Sequence, residues 1–159
     1  MPAPVTEPTA YKRPESVLVV VYNDLDEVLL LRRVQPAGFW QSVTGSLEWG
    51  EAAGAAARRE LFEETGLDLP VEACGPTNRF PIRPEWRARY APAVTENSET
   101  VFRVPVAGRP AIRLNPAEHD ACEWVPRQAA AARVFSWTNR EAILALPPAP
   151  GTHPAAQAP

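Results

Sequence analysis

The glutamates between residues 51 and 64 have a spacing that suits a divalent-cation site. Glu63 and Glu64 follow Glu60 by three and four residues, so on a helix the three side chains project from one face. Like charges at this spacing repel each other unless a hard cation neutralises them. Mg²⁺ prefers carboxylate oxygens, with water and phosphate completing its coordination. The structural alternative is a solvated acidic face on a surface helix.

Neighbouring residues could fix the helix that carries these glutamates. Arg59 follows Glu51 by eight residues, about two helical turns, and could pair with it to hold the preceding loop against the helix. Ala53, Ala57 and Leu61 form a narrow apolar stripe, and the small alanines would let the helix approach a sheet closely. We therefore expect a helix that is packed on one side and charged on another.

Two glycines enclose this segment. The stretch Ala52–Glu64 is rich in alanine and lacks proline, which predicts a helix. Gly66 then occupies the position of a helix C-cap. We expect Gly45 and Gly66 to lie where the backbone turns sharply or leaves a helix.

The elements that must position these residues follow from the apolar pattern. Ser16–Tyr22 is apolar and β-branched almost throughout, which predicts a strand buried on both faces. Val28–Arg32 predicts a second strand, joined to the first as a hairpin through a polar turn. The pattern further predicts strands over Trp40–Thr44, Val71–Ile82, Thr100–Val106 and Glu123–Val125, and helices over Arg127–Arg133 and Asn139–Leu146. Strands before and after a central helix indicate a mixed α/β sandwich.

Length and charge limit the function classes. With 159 residues the chain is long enough for one domain with a core. We predict that domain over residues 11–146, between Pro/Ala-rich disordered tails at 1–10 and 147–159. The net charge of -3 gives no positive field for a nucleic-acid or membrane partner. Without a secretory signal or a bilayer-spanning apolar run, we expect a cytoplasmic protein. Cys74 and Cys122 lack neighbours at zinc-ligand spacing.

The whole segment from Gly45 to Leu67 matches a known signature. It follows the pattern G-x5-E-x7-R-E-U-x-E-E-x-G-U, where U is apolar, at every constrained position and without a gap. The segment therefore resembles the signature box of the Nudix hydrolases. This resemblance implies the α+β Nudix fold, an α/β/α sandwich with a mixed β-sheet and a catalytic helix. It also implies hydrolysis of a nucleoside diphosphate linked to another group, with Mg²⁺, or Mn²⁺ in its place, at the box glutamates.

Motifs outside the box are similar to one Nudix subfamily, the dihydroneopterin triphosphate diphosphatases of bacterial folate biosynthesis. The similarity lies in YKRPESVLVVVY, FWQSVTGS, RYAPAVTEN, EHDACEW and SWTNREAI, which together span nearly the whole predicted domain. It implies that 7,8-dihydroneopterin triphosphate and water give dihydroneopterin monophosphate and pyrophosphate. The segment Arg79–Arg87 departs from the subfamily in its two prolines and its extra arginines.

The subfamily resemblance also implies roles for individual residues. The implied metal ligands are Glu60, Glu64 and Glu118, of which Glu118 lies outside the box in the sequence NPAEHD. The implied substrate contacts are Lys12, Arg33, Thr44, the segment Phe80–Arg83 and Ser136. Without the family, Glu118 would be interpreted as a carboxylate in a loop.

These implied contacts are chemically sensible, and each has a structural alternative. Lys12 and Arg33 are cations that could offset phosphate charge on an acidic protein, or could simply face water. Thr44 adjoins the box and could hydrogen-bond a ring or a phosphate. Phe80 could stack on a pterin or belong to the core. Ser136 could instead cap a helix.

Hydrolysis of a phosphoanhydride needs charge neutralisation and an aligned water more than covalent help. Glu60, Glu63 and Glu64 are therefore the candidate catalytic residues. Glu63 is the candidate general base, because it shares the predicted metal face but is not an implied ligand. Glu118 is the competing candidate for that role.

Three rival functions remain open at the level of the sequence. A Nudix enzyme acting on ordinary or damaged nucleoside triphosphates is the nearest, since the box contacts phosphates and metal rather than the base. A non-catalytic Nudix module that only binds a ligand is disfavoured because Glu51, Glu60, Glu63 and Glu64 are all present. An interaction domain with Pro/Ala-rich docking tails is disfavoured because the tails lack aromatic anchors. The expected partner is thus a small-molecule triphosphate.

Overall fold

The computed structural model describes residues 11–148. Residues 1–10 and 149–159, where the predicted disordered tails lie, are outside the described residues. Only Pro147 and Pro148 of the predicted C-terminal tail are included. The predicted boundaries of the domain and its tails stay a prediction.

Eight strands form one sheet within the described residues, and none of the helices there is long and apolar enough to cross a membrane. The strands are β1 (Glu15–Asn23), β2 (Glu27–Arg33), β3 (Trp40–Gln41), β4 (Val43–Ser46), β5 (Glu72–Ala73), β6 (Asn78–Pro81), β7 (Glu96–Val106) and β8 (His119–Pro126). The helices are α1 (Ala53–Thr65), α2 (Arg127–Arg133), α3 (Trp137–Leu144) and a 3₁₀ helix over Pro84–Arg89.

Strand β1 lies at the centre of this mixed sheet. It pairs in parallel with β7 along its whole length, from Glu15 beside Ser98 to Asn23 beside Val106. Its other edge is shared, because β4 pairs antiparallel with its first half and β2 antiparallel with its end. The hairpin of β1 and β2 is thus confirmed, although β2 pairs more extensively with β8.

The two faces of the sheet are both covered by helices. Val17, Val19 and Val21 of β1 point to one face and pack with Leu61 and other apolar residues of α1. The alternate residues of β1 and β2 point to the other face and pack with α2 and α3: Leu18, Val20, Val28 and Leu30 with Ala130, Ala131 and Ile143. The predicted α/β/α sandwich and the strand buried on both faces are confirmed.

The predicted strand Trp40–Thr44 is wrong as one element. The chain forms β3 and β4 instead, and the ladder is interrupted at Ser42. The Ser42 amide donates to Asn139 Oδ1 at 2.8 Å, and Asn139 Nδ2 donates to Ser42 Oγ at 2.9 Å. At this pair of hydrogen bonds the chain leaves the edge of β2 and joins the edge of β1.

The predicted strand Val71–Ile82 is also divided, into β5 and β6. Gly75 and Pro76 lie between them, and a proline has no N–H to offer a strand ladder. Both short strands pair with β7. The division brings β6 alongside the beginning of β7, where the candidate site begins.

Helix α1 ends as the sequence predicts. Gly66 has a left-handed backbone with φ of 80°, and its amide donates to Phe62 O at 2.9 Å. A side chain is strained in that conformation, so a glycine suits the C-cap. The helix begins at Ala53 and ends at Thr65, one residue later at each end than predicted.

Candidate functional site

A cavity of about 770 Å³ opens beside the ends of β1, β4 and α1. Its lining contains all the predicted substrate contacts and most of the predicted carboxylates: Lys12, Arg33, Thr44, Phe80, Pro81, Ile82, Arg83, Ser136, Glu60, Glu63 and Glu118. Glu64 is not part of this lining, because it is buried within the protein. The fold thus brings residues from both ends of the domain around one space.

Glu64 is a buried carboxylate with no compensating partner among the described residues. Its side chain is 1% exposed, and neither of its oxygens has a hydrogen-bond partner. Burial raises the pKa of Glu64 well above its usual range, and the charges of Glu60 and Glu118 raise it further. His119 Nδ1 lies 3.9 Å from Glu64 Oε1. Burial lowers the pKa of His119 to about 4, so a neutral imidazole faces Glu64 at neutral pH.

Glu60 lies against the backbone of strand β4. A Cβ atom placed on Gly45 would be 2.2 Å from the carboxylate carbon of Glu60. Burial also raises the pKa of Glu60. The expectation that Gly45 serves a sharp turn is wrong, since it lies inside β4 paired with Val17. A glycine is needed there because the carboxylate occupies the place of a side chain.

Arg59 joins the glutamates of the predicted box. Its Nε and Nη2 donate to the two carboxylate oxygens of Glu51, each at 2.8 Å, which confirms the predicted pair. Its Nη1 donates to Glu60 at 3.0 Å and to Glu63 at 3.3 Å. Its Nη2 also donates to Ser46 O at 3.2 Å, which fastens the helix to the end of β4.

The three helix glutamates do not share one environment, so the expectation of a single common face is only partly correct. Glu63 is 51% exposed at its side chain, whereas Glu60 is 13% and Glu64 2% exposed. Glu64 continues the buried side of α1 after Ala57 and Leu61. Glu63 therefore faces solvent, Glu64 lies in the interior, and Glu60 is intermediate in exposure.

Glu118 lies in the turn before β8, near enough to α1 for its charge to raise the pKa of Glu64. Its amide donates to Asn115 O at 3.0 Å, and its carbonyl accepts from Val34 N at 3.0 Å. Among residues 11–148, no three His, Cys, Asp or Glu side chains are already gathered closely enough to hold an ion. The unpartnered oxygens of Glu64 nevertheless fit a cation ligand, because a bound cation would satisfy them.

Three cations line the cavity near these carboxylates. Burial lowers the pKa of Lys12, and the positive charges of Arg89 and Arg33 lower it further. All three residues line the cavity. Lys12 Nζ also lies 5.9 Å from the ring centre of Tyr90. We call Lys12, Arg33 and Arg89 the positive corner. The carboxylates near Lys12 do not offset its burial and the neighbouring positive charges, so the positive corner is suited to the oxygens of a phosphate chain.

The remaining predicted contacts already make hydrogen bonds within the protein. Arg33 Nη1 donates to Gln41 Oε1 at 3.2 Å. Thr44 Oγ1 donates to Val17 O at 2.9 Å, which leaves its lone pairs able to accept. Ser136 is the N-cap of α3, where its Oγ accepts from the Asn139 amide at 3.1 Å. Capping and ligand binding are compatible roles for this hydroxyl.

Several residues around the cavity carried no predicted role. Phe39 and Phe135 stack with ring centres 4.5 Å apart, and no local pattern in the sequence links residues so distant. Trp137 is large and apolar, yet it is 50% exposed and lines the cavity. Further lining residues without a predicted role include Trp86, Arg89, Tyr90, Asn97, Glu99, His119 and Thr138.

Comparison with known proteins shows the family and supports the fold. A family model described as the NUDIX domain matches residues 12–146. The chain is 45% identical over 139 residues to the dihydroneopterin triphosphate diphosphatase of Escherichia coli (strain K12), covering 84% of this chain and 91% of that protein. A protein of the same name from Haemophilus influenzae is 38% identical, covering 84% of this chain and 87% of that protein. The solved structure of the E. coli dihydroneopterin triphosphate pyrophosphohydrolase superposes with a TM-score of 0.77, 45% identity, and coverage of 84% of this chain and 94% of that chain.

Replacing Gly45 should displace the Glu60 carboxylate without unfolding the protein. In Gly45→Ala the new methyl group meets the end of a flexible side chain, so we expect Glu60 to move rather than the strand. Mn²⁺ affinity, measured by titration, should fall roughly tenfold or more. Gly54→Ala is the matched control, since no heavy atom lies within 4 Å of its added Cβ. Wild-type Mn²⁺ affinity in Gly45→Ala would show that the close contact is unimportant.

The Glu51–Arg59 pair should make stability depend on acid pH. The hydrogen bonds from Arg59 lower the pKa of Glu51 in the folded state, so its stabilisation is complete above the unfolded value of about 4.3 and is lost below it. We expect Glu51→Gln to lower the free energy of unfolding by about 1–3 kcal/mol at pH 7. That difference should shrink as the pH falls below about 4, as measured by urea denaturation in EDTA. The exposed Glu48→Gln should match the wild type; a pH-independent deficit in Glu51→Gln would contradict the pairing argument.

Proposed function

Because the chain belongs to the Nudix hydrolase family, we propose that it hydrolyses 7,8-dihydroneopterin triphosphate to dihydroneopterin monophosphate and pyrophosphate. The family inferred from the sequence is confirmed by the family model and by close relatives. Two relatives at 45% and 38% identity carry the name of this activity, which supports the substrate. The cytoplasmic location expected from the sequence stays a prediction.

The observation that carries the proposal is the buried, unpartnered carboxylate of Glu64. A carboxylate that is 1% exposed and accepts no hydrogen bond is costly to ionise in a protein interior. Glu60 lies beside it and adds further negative charge. A divalent cation would offset both charges, so cation binding explains why two carboxylates lie together in a buried place.

Nudix hydrolases generally use a divalent metal ion, and we propose Mg²⁺, or Mn²⁺ in its place, for this chain. Glu60, Glu64 and Glu118 would hold it. When bound, the ion supplies positive charge to the diphosphate oxygens and makes water more acidic. Glu118 comes from a different element, and its charge already acts on Glu64, so the three carboxylates could share one ion.

The protein's own residues divide the remaining work. Arg59 keeps Glu60 and Glu63 in place through hydrogen bonds, and it belongs to the support of the site. Lys12 and Arg33 would bind the phosphate chain from the positive corner. Glu63 is exposed enough to contact water, and we propose that it accepts the proton of the attacking water. Glu118 remains the competing base.

The ring of the substrate needs a separate part of the cavity. Phe80 lies on β6 and lines the cavity together with the Phe39–Phe135 stack. Aromatic faces are suited to stacking on a planar heterocycle. Thr44 and Ser136 supply hydroxyl groups along the same lining. The cavity therefore offers charged groups for the phosphates and aromatic walls for a ring.

Removing individual carboxylates should separate cation binding from proton transfer. Glu60→Gln should weaken Mn²⁺ binding and lower turnover by roughly 100-fold or more, because transition-state charge loses several kcal/mol of stabilisation. Glu63→Gln should lower kcat by roughly 10²- to 10⁴-fold with Mn²⁺ affinity unchanged. Glu141→Gln, exposed on α3, is the control. Near-normal turnover by Glu60→Gln at limiting Mg²⁺ would refute the ligand assignment, and by Glu63→Gln would transfer the base role to Glu118.

A substrate panel tests the specificity directly. We expect kcat/KM for 7,8-dihydroneopterin triphosphate, scored by pyrophosphate release, to exceed that for each common dNTP and for 8-oxo-dGTP. The aromatic walls and the closeness of the named relatives both support this order. A clear preference for any nucleoside triphosphate would instead favour the alternative of a Nudix enzyme acting on nucleotides.

A further inference from the structure

Asn97 and Glu99 are buried polar residues that the diphosphate chemistry leaves unused. Each is 6% exposed, and each lines the cavity. Among the described residues, Asn97 Oδ1 and Glu99 Oε1 accept no hydrogen bond. A buried acceptor without a donor destabilises the protein. Such atoms at a cavity wall are suited to donors from a bound ligand.

Strand pairing directs both residues to one side of the sheet. On β7, Asn97 and Glu99 alternate with exposed or half-buried neighbours and share the face of Val101, which packs with α2 and α3. Asn97 Nδ2 donates to Ser16 Oγ at 2.8 Å, which fixes its side chain. Phe80 pairs with Asn97 across β6 and β7, so its ring is presented on the same face.

Glu99 is separate from the carboxylates proposed to hold the cation. The strand order places β1 between β4, where Glu60 rests against Gly45, and β7, which carries Glu99. Val17 pairs with Gly45 on one side and with Thr100 on the other. The backbone positions of Gly45 and Glu99 are therefore about two strand spacings apart, roughly 10 Å. Their side-chain directions are on opposite faces of the sheet, and the cavity reaches both. That separation suits the two ends of one ligand rather than two ligands of one ion.

Aromatic side chains line the same cavity as Glu99. Phe39 and Phe135 stack at 4.5 Å with an interplanar angle of 22°. The guanidinium of Arg83 lies 5.3 Å from the Phe135 ring and 5.2 Å from the Trp86 ring. All of these residues line the same cavity. A flat heterocycle could be held between such surfaces while its edge reaches a buried carboxylate.

We infer, resting on the proposed function, that Glu99 recognises the heterocycle by accepting hydrogen bonds from the N–H and amino groups of a 2-amino-4-oxopyrimidine ring. Pterins and guanine share this donor edge. A carboxylate has only acceptors, so it matches two adjacent donors. A ring with a carbonyl in place of the amino group would set oxygen against oxygen and leave both unpaired. Asn97, two residues away on the same face, helps to position the ring edge.

The substitution Glu99→Gln is a sharp probe because it keeps the size of the side chain. Burial raises the pKa of Glu99, and hydrogen bonds from Thr138 and Asn78 only partly offset this. A neutral amide avoids the cost of a buried charge, so the variant should fold at least as stably as the wild type. Glu96→Gln is the matched control, since Glu96 is exposed on the same strand.

Two measurements test the recognition role. For 7,8-dihydroneopterin triphosphate, kcat/KM should fall about 10- to 100-fold in Glu99→Gln and stay unchanged in Glu96→Gln. As competitive inhibitors, pterin should bind the wild type more tightly than lumazine, which has a 2-oxo group in place of the 2-amino group. That preference should disappear in Glu99→Gln, while pyrophosphate affinity, measured by calorimetry, stays the same.

The outcomes distinguish this inference from the proposed function. Retention of the pterin preference by Glu99→Gln, or loss of pyrophosphate binding along with it, would overturn the recognition role. A wild type that turns over GTP faster than the pterin triphosphate would overturn the proposed substrate. In that case Glu99 is still the recognition residue if its substitution abolishes discrimination between GTP and ITP, which lacks the amino group.

Discussion

Helix α1 approaches strand β4 so closely that the Glu60 carboxylate occupies the space of a side chain at Gly45. This contact depends on a small helix surface, because Ala56 and Ala57 are completely buried against the sheet. A larger residue at those positions would lift the helix and carry its glutamates away from the strand. The distance between helix and sheet thus sets where the carboxylates lie, and the cavity is arranged around them.

Charge is distributed unevenly around that contact. Arg59 neutralises Glu51 and part of Glu60 and Glu63, but Glu64 has no partner among the described residues. Burial lowers the pKa of Lys12, and the neighbouring cations lower it further. The site therefore contains both unneutralised negative charge and unneutralised positive charge. A metal–diphosphate complex carries the complementary pair, so substrate and ion together would complete the electrostatic balance that the protein alone lacks.

Residues that act through local geometry were predicted well. The Glu51–Arg59 pair and the Gly66 cap depend on helical spacing and on backbone conformation. Both can be inferred from residues that are close together in the sequence. The role of Gly45 was not predicted, because its neighbour Glu60 belongs to a different element. The exposed state of Glu63 and the burial of Glu64 likewise depend on which side of α1 meets the sheet, which a count of residues along a helix does not reveal.

The sequence by itself determined the family, the helix that carries the glutamates and the sandwich fold. These follow from short-range spacing and from a signature without gaps. Only the tertiary structure decided that β3 and β4 separate at Ser42, that Phe39 stacks on Phe135, and that Glu99 is buried at the cavity wall. Each of these depends on contacts between segments far apart in the chain. The spacing of residues along the sequence does not reveal such contacts.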